Sequence, residues 1–197
     1  RTVTSSLQLD EIFASLVRQV YNLTGEWGEI ASFASINIIE GNHVSLKAVY
    51  PPSEEENIIH ANVAKVDLDS GVNGRIGIIG RAVKNKAPLL VENVENHPDF
   101  LSSNPDTKCE LAVPIIYRDE VVGVISVEHK EIGGLDEEDL QNIQSLAAHA
   151  AVAIQNARIY HALQRKSQHQ QAIYEASKII NVSLEHTEKE LLNLLVE

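Results

Sequence analysis

The chain of 197 residues has no methionine, one cysteine, one tryptophan and few aromatics of any kind. A single cysteine excludes an internal disulfide and a redox pair of thiols within the chain. No apolar run approaches the ~18 residues that a membrane span needs, and no secretory leader pattern is present, so a cytoplasmic location is expected. Basic residues are scarce: 16 Lys and Arg stand against 28 Asp and Glu, a formal net charge of −12. An acidic surface repels phosphates, which argues against nucleic acid and anionic membranes as partners. A chain without methionine that begins Arg1-Thr2 is expected to be a piece of a longer protein. With 44% apolar residues, it has the material for a core.

What is present changes period along the chain. Leu9, Ile12, Phe13, Leu16, Val17, Val20 and Tyr21 recur at three and four residues, an amphipathic helix stopped near Gly25. "SINIIEGN" and "HVSLKAVY" then read as strands about a turn at Glu40-Gly41-Asn42. Strict alternation in the second puts Val44, Leu46, Ala48 and Tyr50 on one face. A polar loop follows from Pro51, then short strands around "AKVDLD" and "PLLVENV". "CELAVPIIYRDEVVGVISVEH" reads as two more strands. In the second of them Val121, Ile125 and Val127 are expected on one face, and Val122, Val124 and Ser126 on the other. From Asp136, a good N-cap, the chain turns helical with a stripe from Leu140 to Ala157. Continued to Ile180, that helix would measure on the order of 65 Å at ~1.5 Å per residue. Its outer part carries Ile159, Leu163, Ile173 and Ile180 on a seven-residue seam that polar Lys166 and Gln170 interrupt, which predicts pairing with a second copy of the chain.

Candidate chemistry is sparse. "DSGVNGRIGIIGRAV" holds Gly71, Gly74, Gly77 and Gly80, three residues apart, but matches neither the Walker nor the Gly-x-Gly-x-x-Gly pattern. Close packing of a helix starting near Arg75 against a sheet accounts for Gly80 without any phosphate. The histidines form no His-Glu-x-x-His or close Cys/His cluster, so no metal site is expected. Asp136, Glu137, Glu138 and Asp139 follow helix-start chemistry. No local signature marks a nucleophile, and the expectation is that the chain is not an enzyme.

Three stretches together, "GVNGRIGIIGRAVKNKAPLLVENVENHPDF", "CELAVPIIYRDEVVGVISVEHK" and "LDEEDLQNIQSLAAHAAVAIQNARIY", resemble a GAF domain. That is the small-molecule sensor module of phytochromes, cyclic-nucleotide phosphodiesterases and bacterial sensor histidine kinases. The resemblance covers about residues 7–157. It implies an α+β fold: a central antiparallel sheet of five or six strands, terminal helices on one face and a ligand pocket on the other. It also divides the chain into a sensor domain over 1–158, a signalling helix over 159–182, and the start of a following domain over 183–197. That last segment, "VSLEHTEKELLNLLVE", echoes "SSLQLDEIFASLVRQV" near the beginning and so suggests a second domain of the same kind.

By the same resemblance Ile78, Ile79, Asp99, Phe100, Cys109, Leu111 and Ser126 are expected at the pocket, and Lys130 and Asp136 in a structural ion pair. His129 and Leu135 replace the Asn and Phe of cyclic-nucleotide binders. Cys109 lacks the following histidine of covalent bilin binders, and one cysteine is too few for sulfoxide-reducing members. A pocket lined this way, with no basic residue, predicts a neutral or weakly polar ligand; no cofactor is named. The implied function is a non-catalytic regulatory module with an unidentified small ligand, a homodimer through its helices and an output domain in the same chain. Two alternatives stay open: a small redox enzyme using Cys109, and a purely structural dimerisation domain.

Overall fold

β-Branched residues on both sides of Gly41-Asn42 make the first hairpin. In the computed structural model, which describes residues 3–24, 33–52, 65–101 and 104–194, β1 (Phe33–Glu40) and β2 (His43–Tyr50) pair with Glu40 opposite His43. Four further strands join them: β3 (Lys65–Asp67), β4 (Leu89–Val91), β5 (Cys109–Tyr117) and β6 (Glu120–His129). The sheet runs β3-β2-β1-β6-β5-β4, and every neighbouring pair is antiparallel. The helices among the described residues are α1 (Val3–Leu23), α2 (Gly77–Asn85) and α3 (Glu137–Leu194). This is the α+β architecture expected, with six strands. Most of the polar loop after Pro51, and Gly25 at the expected end of the first helix, lie outside the described residues. The chain divides into two compact units, Arg1–Gln155 and Asn156–Glu197.

Within the first unit the sheet is covered on both faces. On one side Phe13, Leu16, Val17 and Val20 of α1 meet Ile143, Ala147, Ala150 and Ile154 of α3 over Ile36, Leu111, Val113, Ile115, Ile125 and Val127. Fully buried aliphatics such as Ile143 and Ile154 contribute ~1.5–3 kcal/mol each. On the other side α2 lays Ile78, Ala82 and Val83 over Val44, Val91, Ala112 and Val124.

Two β-bulges change which residues face which core. Ile36 lies opposite Ala48 but Asn37 lies opposite Leu46, so Lys47 is an extra residue in β2. Ala48 packs with the helices, whereas Val44 packs with α2; the single apolar face expected for β2 is therefore split between the cores. Likewise Ile115 pairs with Gly123 and Ile116 with Val121, leaving Val122 as the extra residue of β6. Val122 joins Ile125 and Val127 under the helices, while Val121 packs with Val124 on the α2 side. The expected positions of Val121 and Val122 are exchanged. An inserted residue reverses parity on one side of itself, and alternation counted along the sequence does not register it.

The start of α3 corrects another expectation. Asp136 Oδ1 accepts the backbone N–H of Glu138 (2.8 Å) and of Asp139 (3.1 Å), and Asp139 Oδ2 accepts the N–H of Asp136 (3.0 Å). Asp136 is thus an N-cap in a reciprocal capping arrangement. Its pairing with Lys130 is not among the ion pairs of the described residues, which join His43–Asp67, Lys47–Glu40, Arg81–Asp99 and Lys108–Glu95. The two residues therefore separate in a stability measurement. Asp136→Ala is expected to cost roughly 0.5–2 kcal/mol, the usual loss of a cap. Lys130→Ala, an exposed change without a partner to lose, should stay within about 0.5 kcal/mol of the parent in urea unfolding.

Candidate functional site

The loop of spaced glycines is held by its own backbone. Val72 N–H donates to the Arg75 carbonyl (2.8 Å), Arg75 N–H to that of Val72 (3.0 Å), and Gly71 N–H to that of Asp67 (2.8 Å). Gly71 has φ +63, and a Cβ there would stand 2.2 Å from the Arg75 oxygen, so the turn admits no side chain. The Asp67 carboxylate accepts the N–H groups of Ser70 (2.8 Å) and Asp69 (3.0 Å) and the Ser70 hydroxyl (2.9 Å). Those bonds, Ser70's backbone N–H first, hold it down at about 2. Donors spent in this way are not presented to a phosphate. Gly80 is a packing residue: a Cβ on it would lie 2.9 Å from Ile76 Cβ and 3.5 Å from Leu68 Cδ2.

Between α2 and the sheet lies a cavity of about 60 Å³. At ~10–15 Å³ for each water, that is room for a few non-hydrogen atoms. Ser35 and Asn37 of β1, Val44 and Leu46 of β2, and Val66 of β3 form one wall. Ile76 to Ile79 at the start of α2, together with Leu101, form another. Glu110 of β5 and Glu128 of β6 complete it. These two acids are cross-strand partners in the antiparallel register, and each is almost wholly buried. Ser126 Oγ donates to Glu110 Oε1 (3.1 Å), and Thr107 Oγ1 donates to Glu128 Oε2. Burial, and then the neighbouring Glu128, push the Glu110 carboxyl well above the usual carboxylate range.

Of the expected pocket residues, Ile78 and Ile79 line the cavity, and Ser126 reaches it through its hydrogen bond to Glu110. Asp99 instead anchors the preceding loop: Arg81 Nε (2.9 Å) and Nη2 (2.5 Å) both donate to its Oδ2. That clamp ties the loop to α2, and Phe100 packs on the α2-side core beside it. Cys109 and Leu111 lie on the opposite face of the sheet, in the core beneath the helices. The Cys109 thiol has no exposed surface, and burial pushes its pKa up, opposite to what a reactive thiolate needs. Parity explains the miss. Residues 109 and 111 share one face of β5, and Glu110 and Ala112 share the other. A carboxylate inside a run that is apolar on both faces, as Glu110 and Glu128 are, is the signal in the sequence that marks the cavity side. Among the described residues no group of three His, Cys, Asp or Glu is placed to hold a metal ion, and no helix is long and apolar enough to cross a membrane.

A sheet in this order, with a cavity under a short helix on one face, agrees with the comparison to known families: the GAF domain profile matches residues 6–155. The chain belongs to the GAF domain family. Free methionine-R-sulfoxide reductase of Saccharomyces cerevisiae is 32% identical over 72 residues, which cover 36% of this chain and only 40% of that enzyme. The solved structure of type II free methionine-R-sulfoxide reductase from Thermoplasma acidophilum has a TM-score of 0.59 at 20% identity, over 73% of this chain and 92% of that one. The GAF domain of a two-component sensor histidine kinase from Bacillus halodurans has a TM-score of 0.57 at 21% identity, over 78% and 97%. At those identities the solved structures show the shared fold.

These relatives correct the expectation that this GAF domain is not an enzyme. Enzymes carry the same fold, so catalysis is open to it.

The raised Glu110 carboxyl has a consequence for stability. A folded-state pKa above the unfolded one means that the folded protein holds more protons, so stability falls as pH rises past the ordinary value of 4.5. Glu110→Gln removes that proton uptake. Without ligand, it is expected to melt higher than the parent at neutral pH, with the gap closing near pH 4. A melting series across that range checks the sign.

Proposed function

We propose that this GAF domain is a regulatory module that binds a small molecule in the cavity between the sheet and α2. The observation that carries this is the cavity wall itself: Ser35, Asn37, Glu110 and Glu128 are buried polar side chains turned toward a void rather than into packed core. Burying polar groups costs stability, and a core serving stability alone would place aliphatics there. The Arg81–Asp99 clamp beside the cavity supplies a part whose position a ligand would bias. Native mass spectrometry of the purified chain tests the assignment. A small molecule released on denaturation supports it. A chain that runs at its bare mass and binds nothing from a metabolite library counts against it.

The output route proposed is the outer part of α3, paired with a second copy of the chain. In the second unit Ile159, Leu163, Ile173 and Ile180 are each more than half exposed. Burying each in a helix pair would contribute ~1.5–3 kcal/mol. The polar residues at Lys166 and Gln170 weaken the seam and favour rearrangement over a permanent clamp.

The likeness to free methionine-R-sulfoxide reductases supports a second reading, a redox enzyme. With Cys109 beneath the helices, that reading needs a reacting group other than this thiol at the cavity.

Light scattering tests the helix pair. The chain is expected to be dimeric at micromolar concentration, and a version ending at Tyr160 is expected to be monomeric. A monomeric full chain, or a shortened chain that still dimerises, removes the relay through α3.

A further inference from the structure

Two polar side chains of β1 specify the occupant of the cavity more narrowly than its volume does. Parity puts Ser35 and Asn37 on one face, and the antiparallel register sets them opposite Ser126 and Val124 of β6, on the side that meets α2. Both are more than nine-tenths buried, and both line the cavity. Their mutual bond runs from Asn37 Nδ2 to Ser35 Oγ (3.0 Å). Since Ser35 Oγ accepts there, its own hydrogen points elsewhere, and Asn37 keeps its second N–H and its carbonyl oxygen. No bond to any of these three is made among the described residues. The buried side-chain polar atoms that are both unpartnered and sealed from solvent, among those residues, are Ser45 Oγ and the ring nitrogens of His161. Asn37 Oδ1 is not one of them, so it is open to the cavity. Hydrogen-bonding capacity at such burial is rarely left unused.

We infer that the cavity takes a small uncharged amide, a carboxamide or lactam, whose N–H donates to Asn37 Oδ1 and whose carbonyl oxygen accepts from the second Asn37 N–H and from the Ser35 hydroxyl. This rests on the proposal that the cavity is the ligand site, and it narrows the neutral ligand expected from the sequence to one chemical class. An amide group is planar and carries a donor and an acceptor side by side, and Asn37 offers the same pair in the reverse sense. A ketone or an ester satisfies the donors but leaves Asn37 Oδ1 unpaired away from water, which costs more than a made bond contributes. Val44, Leu46, Val66 and Ile78 supply aliphatic surface for the remainder of the molecule. A cavity of about 60 Å³ limits that remainder to a short alkyl group. Burial of Glu110 moves it toward its uncharged acid form, which suits a neutral occupant.

The test compares probes of similar size on the intact chain. Propionamide, butanone, propionate and n-propylammonium are titrated at neutral pH and followed by NMR of the backbone and side-chain amides. Propionamide is expected to bind on the order of tenfold more tightly than butanone, the ratio that one unmade buried hydrogen bond gives. It should shift the Asn37 side-chain signal together with the backbone amides of Gly77 and Ile78, and neither charged probe is expected to match it. Asn37→Leu, which is close in size, should abolish the preference for amide over ketone; its missing side-chain signal fixes the assignment in the parent. If that variant does not fold, the amide-to-ketone ratio and the location of the shifts in the parent decide the question. Equal affinity for amide and ketone at the cavity, or tighter binding of a charged probe there, overturns the amide inference and leaves the cavity as a ligand site. An amide preference that survives in Asn37→Leu overturns it as well. Shifts confined to the outer surface, or none with any probe, leave water as the partner of Asn37 and Ser35 and overturn both proposals.

Discussion

A sheet covered on both faces must send its alternate side chains into two separate cores, and the rest of this structure depends on that division. β6 lies between β1 and β5, and its residues from Val122 to His129 are all buried. One set meets the aliphatic and alanine surface of α1 and α3; the other meets α2 and the cavity. Because parity has only two values, each strand position is committed to packing or to the site. The bulges at Lys47 and Val122 are the places where that commitment is rewritten. Gly123 sits beside the second bulge, where a Cβ would stand 2.6 Å from the Asn37 carbonyl oxygen, so the bend and the close strand approach occur together.

The two faces do different physical work. Under the helices, aliphatic and alanine side chains between Ile36 and Ile154 make the core, and the lone cysteine behaves as one more small hydrophobe. Under α2 the packing is incomplete. Aliphatics surround a void, and four polar side chains from three strands turn toward it. Hydrogen bonds from Ser126 and Thr107 lower the cost of the two acids without cancelling the repulsion between them. Interiors pack closely when nothing prevents it, and the polar void is the departure from that packing which the proposed ligand would fill.

Family membership narrows this less than the local chemistry does. GAF relatives include a domain of a two-component sensor histidine kinase and free methionine-R-sulfoxide reductases, so the fold occurs in a signalling protein and in enzymes. The residues on the cavity wall carry the distinction. Here they are acids, a serine and an amide, while the single thiol belongs to the opposite core. Function is argued from such a site and not from the scaffold that bears it.

Much of the scaffold was legible in the sequence, because helical and strand periods are local properties of the chain. The stripe of α1, the Gly41-Asn42 hairpin, the paired β5 and β6 and the cap at Asp136 are each written within a dozen residues. The resemblance to GAF domains, and not a local period, is what pointed to Ile78 and Ile79, and both line the cavity. The wall of the cavity was less legible. Cys109 and Leu111 are expected at the site and Glu110 and Glu128 are not, because in a strand apolar on both faces only the isolated carboxylates mark which side meets the cavity. Which face of β5 meets α2, and where a bulge exchanges Val121 with Val122, depends on pairing with strands distant in sequence. Asp136 had two available partners, Lys130 and the first turn of α3, and local geometry chose the backbone. The sequence by itself determined the elements, their order and the family. Only the tertiary structure decided which side chains share the cavity, because long-range strand register, and not local period, assigns each residue to a face.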